Sequence, residues 1–196
     1  MSPDGAPVVE TDGLRKAYGD TVAVASLDLQ IAAGEVYGLL GPNGAGKTTT
    51  MRLLATLVEP TDGTATVRGE SITDRAAVTR HIGFLPEDPP LYDELTGREQ
   101  LEYAAGLRGL TVDAGDALER VGLGDAVDRR IEGYSTGMRK RLGLLQATLH
   151  DPAVLILDEP TSGLDPRAAR RVRETISAVA ERGTTVLLST HVLPVA

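Results

Sequence analysis

Two apolar periodicities alternate along this chain. Leu27, Leu29 and Ile31 are separated by polar residues, the spacing of a strand with one buried face. From Val8 to Leu39 the pattern predicts short strands broken by Gly13, Gly19 and Gly34. Val36 to Leu40, Val154 to Leu157 and Thr185 to Leu188 are short continuous apolar runs, as in strands covered on both faces. Asp62-Gly63 is a turn signal, with a strand expected over Thr64 to Arg68. The helical period governs Lys47 to Val58, through Met51, Leu54 and Val58. It returns where Leu95, Leu101, Ala105, Leu118, Val121 and Leu123 sit among Glu and Arg. There Asp113, Asp116 and Glu119 read as a solvated helix face. A helix is expected over Pro166 to Arg182, with Asp165 as its N-cap, Pro166 at its first position and Gly183 just past its end. Strands alternating with helices predict an α/β fold around a parallel sheet, interrupted by a helical insertion near 89–150.

Composition narrows the classes. The 196 residues suit one compact domain with an inserted subdomain. A net charge of −8 argues against an electrostatic grip on nucleic acid or anionic lipid. The 17 arginines against 3 lysines fit either a GC-rich genome or a salt-adapted surface. The absence of cysteine removes disulfides and thiolate metal sites. Residues 1–10 have no basic and apolar segments of a signal peptide, and nowhere do 18 apolar residues run together. A cytosolic location is the expectation.

Candidate chemistry lies where strands give way to helices. Gly41-Pro42-Asn43-Gly44-Ala45-Gly46-Lys47-Thr48 matches G-x-x-x-x-G-K-[ST], between a predicted strand and a predicted helix. Glycines let backbone N–H groups wrap phosphate oxygens, and the helix N-terminus points its positive end at the same anion. Lys47 would neutralise β- and γ-phosphate charge, and the Thr48 hydroxyl would ligate Mg²⁺. By itself this motif leaves kinases, GTPases and ATPases open. Asp158 and Glu159 close an apolar strand at the sheet edge where α/β folds bind ligands. Asp158 suits Mg²⁺, and Glu159 suits a general base acting on water. His81 and His150 have no partners at ligand spacing and read as structural.

Taken together, the motifs resemble the nucleotide-binding subunit of ATP-binding cassette (ABC) transporters, over almost the whole chain. Tyr18 stands where that family stacks an aromatic on adenine, and Gly41 to Thr49 resembles its Walker A loop. Val154 to Pro160 resembles Walker B, with Glu159 catalytic; Ser162 to Asp165 resembles the D-loop. Ser189-Thr190-His191 resembles the strand end carrying the switch histidine, expected to fix the attacking water. Tyr134-Ser135-Thr136-Gly137-Met138 occupies the place of the Leu-Ser-Gly-Gly-Gln signature. Ser135 and Gly137 would open a helix able to meet phosphate, and Arg139, Lys140 and Arg141 would fall in its first turn. Such cations oppose the helix dipole, a misfit that a docked anion would relieve. Glu87 stands where the family has a Mg²⁺-contacting Gln.

The resemblance implies a RecA-like P-loop core with an N-terminal antiparallel β subdomain over residues 1–88 and 151–196. It also implies an α-helical subdomain over 89–150 that carries the signature. The implied ligands are ATP and Mg²⁺. Nucleotide contacts are expected at Tyr18, Gly41 through Thr49, Ser135, Thr136, Gly137 and Asp165. Metal contacts are expected at Thr48, Asp158 and Glu87, and catalysis from Lys47, Glu159 and His191. The implied partners are a second cassette, arranged head to tail in a homodimer, and a polytopic membrane subunit, with no nucleic acid. The protein would lie on the inner face of the membrane through that subunit. Pro89-Pro90-Leu91-Tyr92 is either a rigid turn or the coupling segment to it. The wording Gly-Lys-Thr-Thr-Thr-Met resembles multidrug exporters of the ABC-2 type. The alternatives are a soluble ABC ATPase of translation or repair, and a cassette that binds ATP without hydrolysing it.

Overall fold

The computed structural model describes residues 7–190. β1 (Val9–Tyr18) and β2 (Thr21–Ile31) form one long hairpin rather than several short strands. Gly13, at φ +55°, marks a break in register within β1, and its N–H donates to Asp28 Oδ1 at 2.6 Å. A bulge thus sits where the sequence suggests a strand end. β3 (Val36–Leu40) leads through the glycine loop into α1 (Lys47–Leu54), followed by β4 (Asp62–Val67), β5 (Glu70–Ser71), α2 (Arg75–Thr79) and β6 (Ile82–Leu85). Then come α3 (Gly97–Gly106), α4 (Ala114–Arg120), α5 (Thr136–Thr148), β7 (Val154–Leu157), α6 (Pro166–Glu181) and β8 (Thr185–Thr190).

Two sheets result. One is antiparallel, in the order β2-β1-β4-β5; the other is parallel, in the order β3-β8-β7-β6. The period of two in β7 distributes its side chains between two cores. Val154 and Ile156 face the antiparallel sheet and α1, whereas Leu155 and Leu157 face α5 and α6. β6, which the sequence pattern leaves unassigned, pairs with β7. β3 is not buried on both faces as its apolar run suggests. Among the described residues it is an edge strand, and Val36 and Leu40 are more than half exposed.

The helical segment has its own core around Leu101, Leu118, Leu123, Ile131, Tyr134 and Leu142. Its α3 begins with a capping box, in which Thr96 Oγ1 accepts from Glu99 N–H and Glu99 Oε2 accepts from Thr96 N–H. Asp113 is the N-cap of α4, accepting from Asp116 N–H at 3.1 Å, and so does more than solvate a face. α5 belongs to both halves. Leu142 packs in the helical core, while Leu144 and Ala147 pack against the parallel sheet. Gly83 permits that approach, because a Cβ there would stand 2.1 Å from Ala147 O. α6 follows its sequence signals closely. Asp165 Oδ1 accepts from the N–H groups of Arg167 and Ala168, and Ala169, Val172, Ile176 and Val179 form its buried stripe.

Candidate functional site

The carboxyl ends of β3, β7 and β8 converge on one cleft of about 560 Å³. The loop after β3 supplies its floor. Gly46, at φ +83°, is the N-cap of α1 and has no side chain to satisfy the first amides. A Cβ on Gly46 would lie 2.3 Å from Ala23 O, so the close pass under β2 requires glycine. No acidic side chain stands in the first turn of α1. The helix therefore presents uncapped N–H groups and the positive end of its dipole to the cleft.

Lys47 is nearly buried, and its ammonium donates to Gly41 O at 2.6 Å and Pro42 O at 3.1 Å. It lies 3.6 Å from Glu159 Oε1. Asp158 and Glu159, both almost fully buried, follow β7 directly. Asp158 Oδ1 accepts from Thr48 Oγ1 at 3.2 Å and from Ser189 Oγ at 2.7 Å. Ser189 in turn accepts from Glu159 N–H at 2.9 Å. One β8 hydroxyl thus fixes both acids, although nothing in the sequence motif gives Ser189 that task. Glu159 adopts φ +45°, a conformation that costs a non-glycine residue on the order of 1 kcal/mol and here aims its side chain toward Lys47. Lys140 Nζ, from α5, donates to Glu87 O and, at 3.3 Å, to Glu159 O. Burial pushes its pKa down from the usual lysine value, and the carboxylates of Glu87, Asp88, Asp158 and Glu159 work against that shift.

Tyr18, Asn43, Gly44, Ala45, Thr49, Glu87 and Glu159 line the same cleft. Tyr18 is half exposed at its rim, with Lys16 Nζ 5.0 Å from the ring centroid. The donor set near Thr48, namely hydroxyl and carboxylate oxygens, suits a hard cation such as Mg²⁺. Among the described residues no three acids or histidines form a metal cage. Mg²⁺ takes one or two protein ligands and completes its shell with phosphate and water.

Ser135, Gly137 and Asp165 lie elsewhere, around a smaller cleft of about 250 Å³. Ser135 is the N-cap of α5, its Oγ accepting from Met138 N–H at 3.3 Å, and Ser135 and Thr136 are exposed. Arg139, Lys140 and Arg141 are the fourth to sixth residues of the helix, at and beyond the end of its first turn. An anion docked on the helix N-terminus is not needed to explain them. Arg139 pairs with Asp93, Lys140 reaches carbonyl oxygens, and Arg141 donates to Val121 O and Gly122 O, each at 2.7 Å. Tyr134 is a buried strut, its hydroxyl donating to Ala126 O at 2.7 Å. His191 falls outside the described residues. His81 and His150 lie away from the cleft; burial lowers the pKa of both.

A family model described as ABC transporter matches residues 24–162, most of the chain and both halves of the cleft. The chain belongs to the ABC transporter family. Relatives of this ABC protein include the daunorubicin/doxorubicin resistance ATP-binding protein DrrA of Streptomyces peucetius, 44% identical over 98% of this chain and 60% of that protein. The bacitracin transport ATP-binding protein BcrA of Enterococcus faecalis is 43% identical over 95% of this chain and 62% of its own length. The chain therefore spans about three fifths of these curated relatives. A solved structure of an ATP-binding subunit of an ABC transporter superposes with a TM-score of 0.83 at 32% identity, covering 95% of this chain and 80% of that one. The cbiO1 protein of Clostridium perfringens, part of the ABC transporter complex cbiONQ, gives 0.81 at 25% identity, covering 95% and 79%. The paired sheets and helical segment are those of the ABC ATPase nucleotide-binding domain.

Proposed function

We propose that this ABC protein binds and hydrolyses Mg·ATP as the motor of a transporter, with export the favoured direction. The observation that carries the reading is the cleft in which Lys47, Thr48, Asp158 and Glu159 meet the uncapped N-terminus of α1. The loop amides and Lys47 hold the β- and γ-phosphates, Lys47 exchanging its carbonyl partners for phosphate oxygens. Thr48 and Asp158 would hold Mg²⁺, with Glu87 lining the same cleft, and the ion would supply neutralisation of phosphate charge. Tyr18 at the rim stacks on adenine. Glu159, held by the Ser189 hydroxyl, accepts a proton from a water molecule as that water's oxygen bonds to the γ-phosphorus. The bond to the β-γ bridging oxygen breaks, and ADP and phosphate leave. His191 is assigned to positioning that water on the resemblance alone.

Ser135, Thr136, Gly137 and Asp165 face away from this cleft, which supports a head-to-tail pair of cassettes, each lending its signature helix to the other's nucleotide. Among the described residues no helix is long and apolar enough to cross a membrane. A groove of about 520 Å³, lined by Leu57, Phe84, Pro86, Pro89, Pro90 and the largely exposed Leu107, supports docking of a membrane subunit beside the helical segment. The names of the relatives favour drug or peptide antibiotic export. The test is a tagged Glu159→Gln chain, incubated with Mg·ATP in detergent-solubilised native membranes. We expect an ATP-trapped cassette dimer that co-purifies with a polytopic membrane protein. Full hydrolysis by this variant overturns the role of Glu159, and recovery of ribosomal or DNA-bound partners overturns the transport reading.

A further inference from the structure

The chain carries a charge of −8, yet one side of it gathers arginine. Three concavities adjoin along α6. The first, about 250 Å³, takes Arg141, Arg167 and Arg171. The second, about 530 Å³, shares Arg141 and Arg171 with the first and adds Arg120 and Arg182. The third, about 640 Å³, shares Arg182 with the second and adds Arg68 and Arg80. Seven arginines thus share these linings with three carboxylates, those of Asp151, Asp165 and Glu174, and one of the seven, Arg80, is already paired at 3.1 Å with Glu70 outside them. Two of the three are already engaged: Asp165 caps α6, and Glu174 pairs at 2.9 Å with Arg170, which lies outside the track. Arg68, Arg120, Arg167, Arg171 and Arg182 form no ion pair among the described residues.

Arg141 sits where the first two concavities meet, only 8% exposed. Its Nε and Nη1 serve the carbonyls of Gly137, Val121 and Gly122, while its Nη2 has no hydrogen-bond partner among the described residues. Burial and the neighbouring charge of Arg171 both press its pKa below the ordinary guanidinium value. Guanidinium groups crowded in this way are stabilised by a carboxylate or phosphate that can accept their forks. Between them the lining mixes apolar Val121, Leu145, Ala178 and Val179 with the hydroxyls of Thr148 and Thr175.

We propose that this track docks an acidic polypeptide segment of a partner protein, its carboxylates on the arginines and its apolar side chains on the apolar lining between them. The inference is independent of this chain's own nucleotide cleft; at its Arg167 end the track shares the Ser135 cleft with the second cassette, so the segment docks on the unpaired chain. The dimensions agree with such an occupant: α6, at 16 residues, is about 24 Å long, the span of roughly seven residues of extended chain. Nucleic acid fits less well. Among the described residues no Phe, Tyr or Trp lines any of the three concavities, His81 at one end being the sole ring, and a phosphate backbone running beyond the track would meet a chain of net charge −8.

The probe is a fluorescein-labelled heptapeptide of alternating Glu and Leu, titrated with the purified chain at low salt and followed by anisotropy. Saturable binding is expected, weakened tenfold or more by Arg171→Glu or Arg182→Glu. Arg173→Glu changes the net charge equally, lies exposed on the same helix and lines none of the concavities. It should leave the affinity within twofold of the parent. Thermal melts confirm that all three variants fold. Absence of saturable binding, or equal weakening by Arg171→Glu and Arg173→Glu, overturns the proposal. So does a single-stranded oligonucleotide that displaces the peptide at lower concentration with the same dependence on Arg171.

Discussion

Two helix N-termini in this ABC protein face anion-sized clefts, and they are built in opposite ways. α1 starts from Gly46, which offers no capping side chain, so its first amides remain available. α5 starts from Ser135, whose own hydroxyl takes the N–H of Met138. Around α1 lie Asp158 and Glu159, each held in place by Ser189. Around α5 lie Arg141, Arg167 and Arg171. The first terminus depends on a backbone shape, whereas the second has a complete cap of its own and a rim of cations. An α1 without its glycine should fail, while an α5 without its serine should merely weaken.

The largest expected difference comes from making one substitution at both places. Gly46→Ala combines a left-handed φ with a Cβ 2.3 Å from a backbone oxygen, so strain and overpacking add. A loss on the order of 3 kcal/mol in urea denaturation is expected, together with loss of ATP binding by calorimetry. At Gly137, which has no left-handed φ, the new Cβ meets side chains alone: the Ala168 methyl at 2.9 Å and, in ordinary contact, Leu164 Cδ2 at 3.8 Å. Alanine is also the better helix former there, so a cost of about 1 kcal/mol or less is expected. If the two losses prove equal, the contrast between the termini is wrong.

Next in size is Ser189→Ala. It removes the donor to Asp158 and the acceptor for Glu159 N–H in a fully buried position. A destabilisation of about 1–3 kcal/mol is expected, with a fall in kcat larger than any change in KM for ATP. Ser135→Ala should cost about 1 kcal/mol through the lost cap. Its further signature separates the two clefts. Nucleotide affinity of the dilute chain should be unchanged, while turnover at high protein concentration should drop. Weaker ATP binding by the dilute variant would show that Ser135 serves the nucleotide of its own chain.

The P-loop, the Asp158-Glu159 pair and the capping of α6 were legible in the sequence because each depends on neighbours within a few residues. Alternating side chains in β7 were visible too, as an apolar run. Ser189 was not, since its role is set by the β7-β8 register, 31 residues from Asp158. The arginines after Ser135 misled for the same reason. Local dipole arguments made them and Lys140 a misfit, but the long side chains leave the helix end: Arg139 finds Asp93, Lys140 the carbonyl of Glu87, and Arg141 those of Val121 and Gly122. β3 looked buried because its composition is apolar, yet its place at the sheet edge leaves alternate residues exposed.

The opposite end of α5 supplies the smallest effect. His150 follows the helix C-terminus, where a cation would gain from the dipole, yet burial dominates and lowers its pKa, with the Arg108 charge adding to the shift. The hydrogen bond from Nε2 to Ile82 O, 3.0 Å, fits the neutral ring, and Nδ1 is buried without a partner. A folded pKa below 6.5 means that the unfolded chain takes up the proton first as pH falls. The stability due to neutral His150 is therefore complete above pH 6.5 and drains away as pH drops through the lower folded value. In His150→Gln the amide can keep the bond to Ile82 O without titrating. The parent should accordingly lose more Tm than this variant between pH 7 and pH 5, while His81, also depressed by burial, lowers both curves alike. Parallel curves would mean that α5 is anchored to β6 by packing alone, through Gly83 and Ala147, and that its far end has no titrating latch.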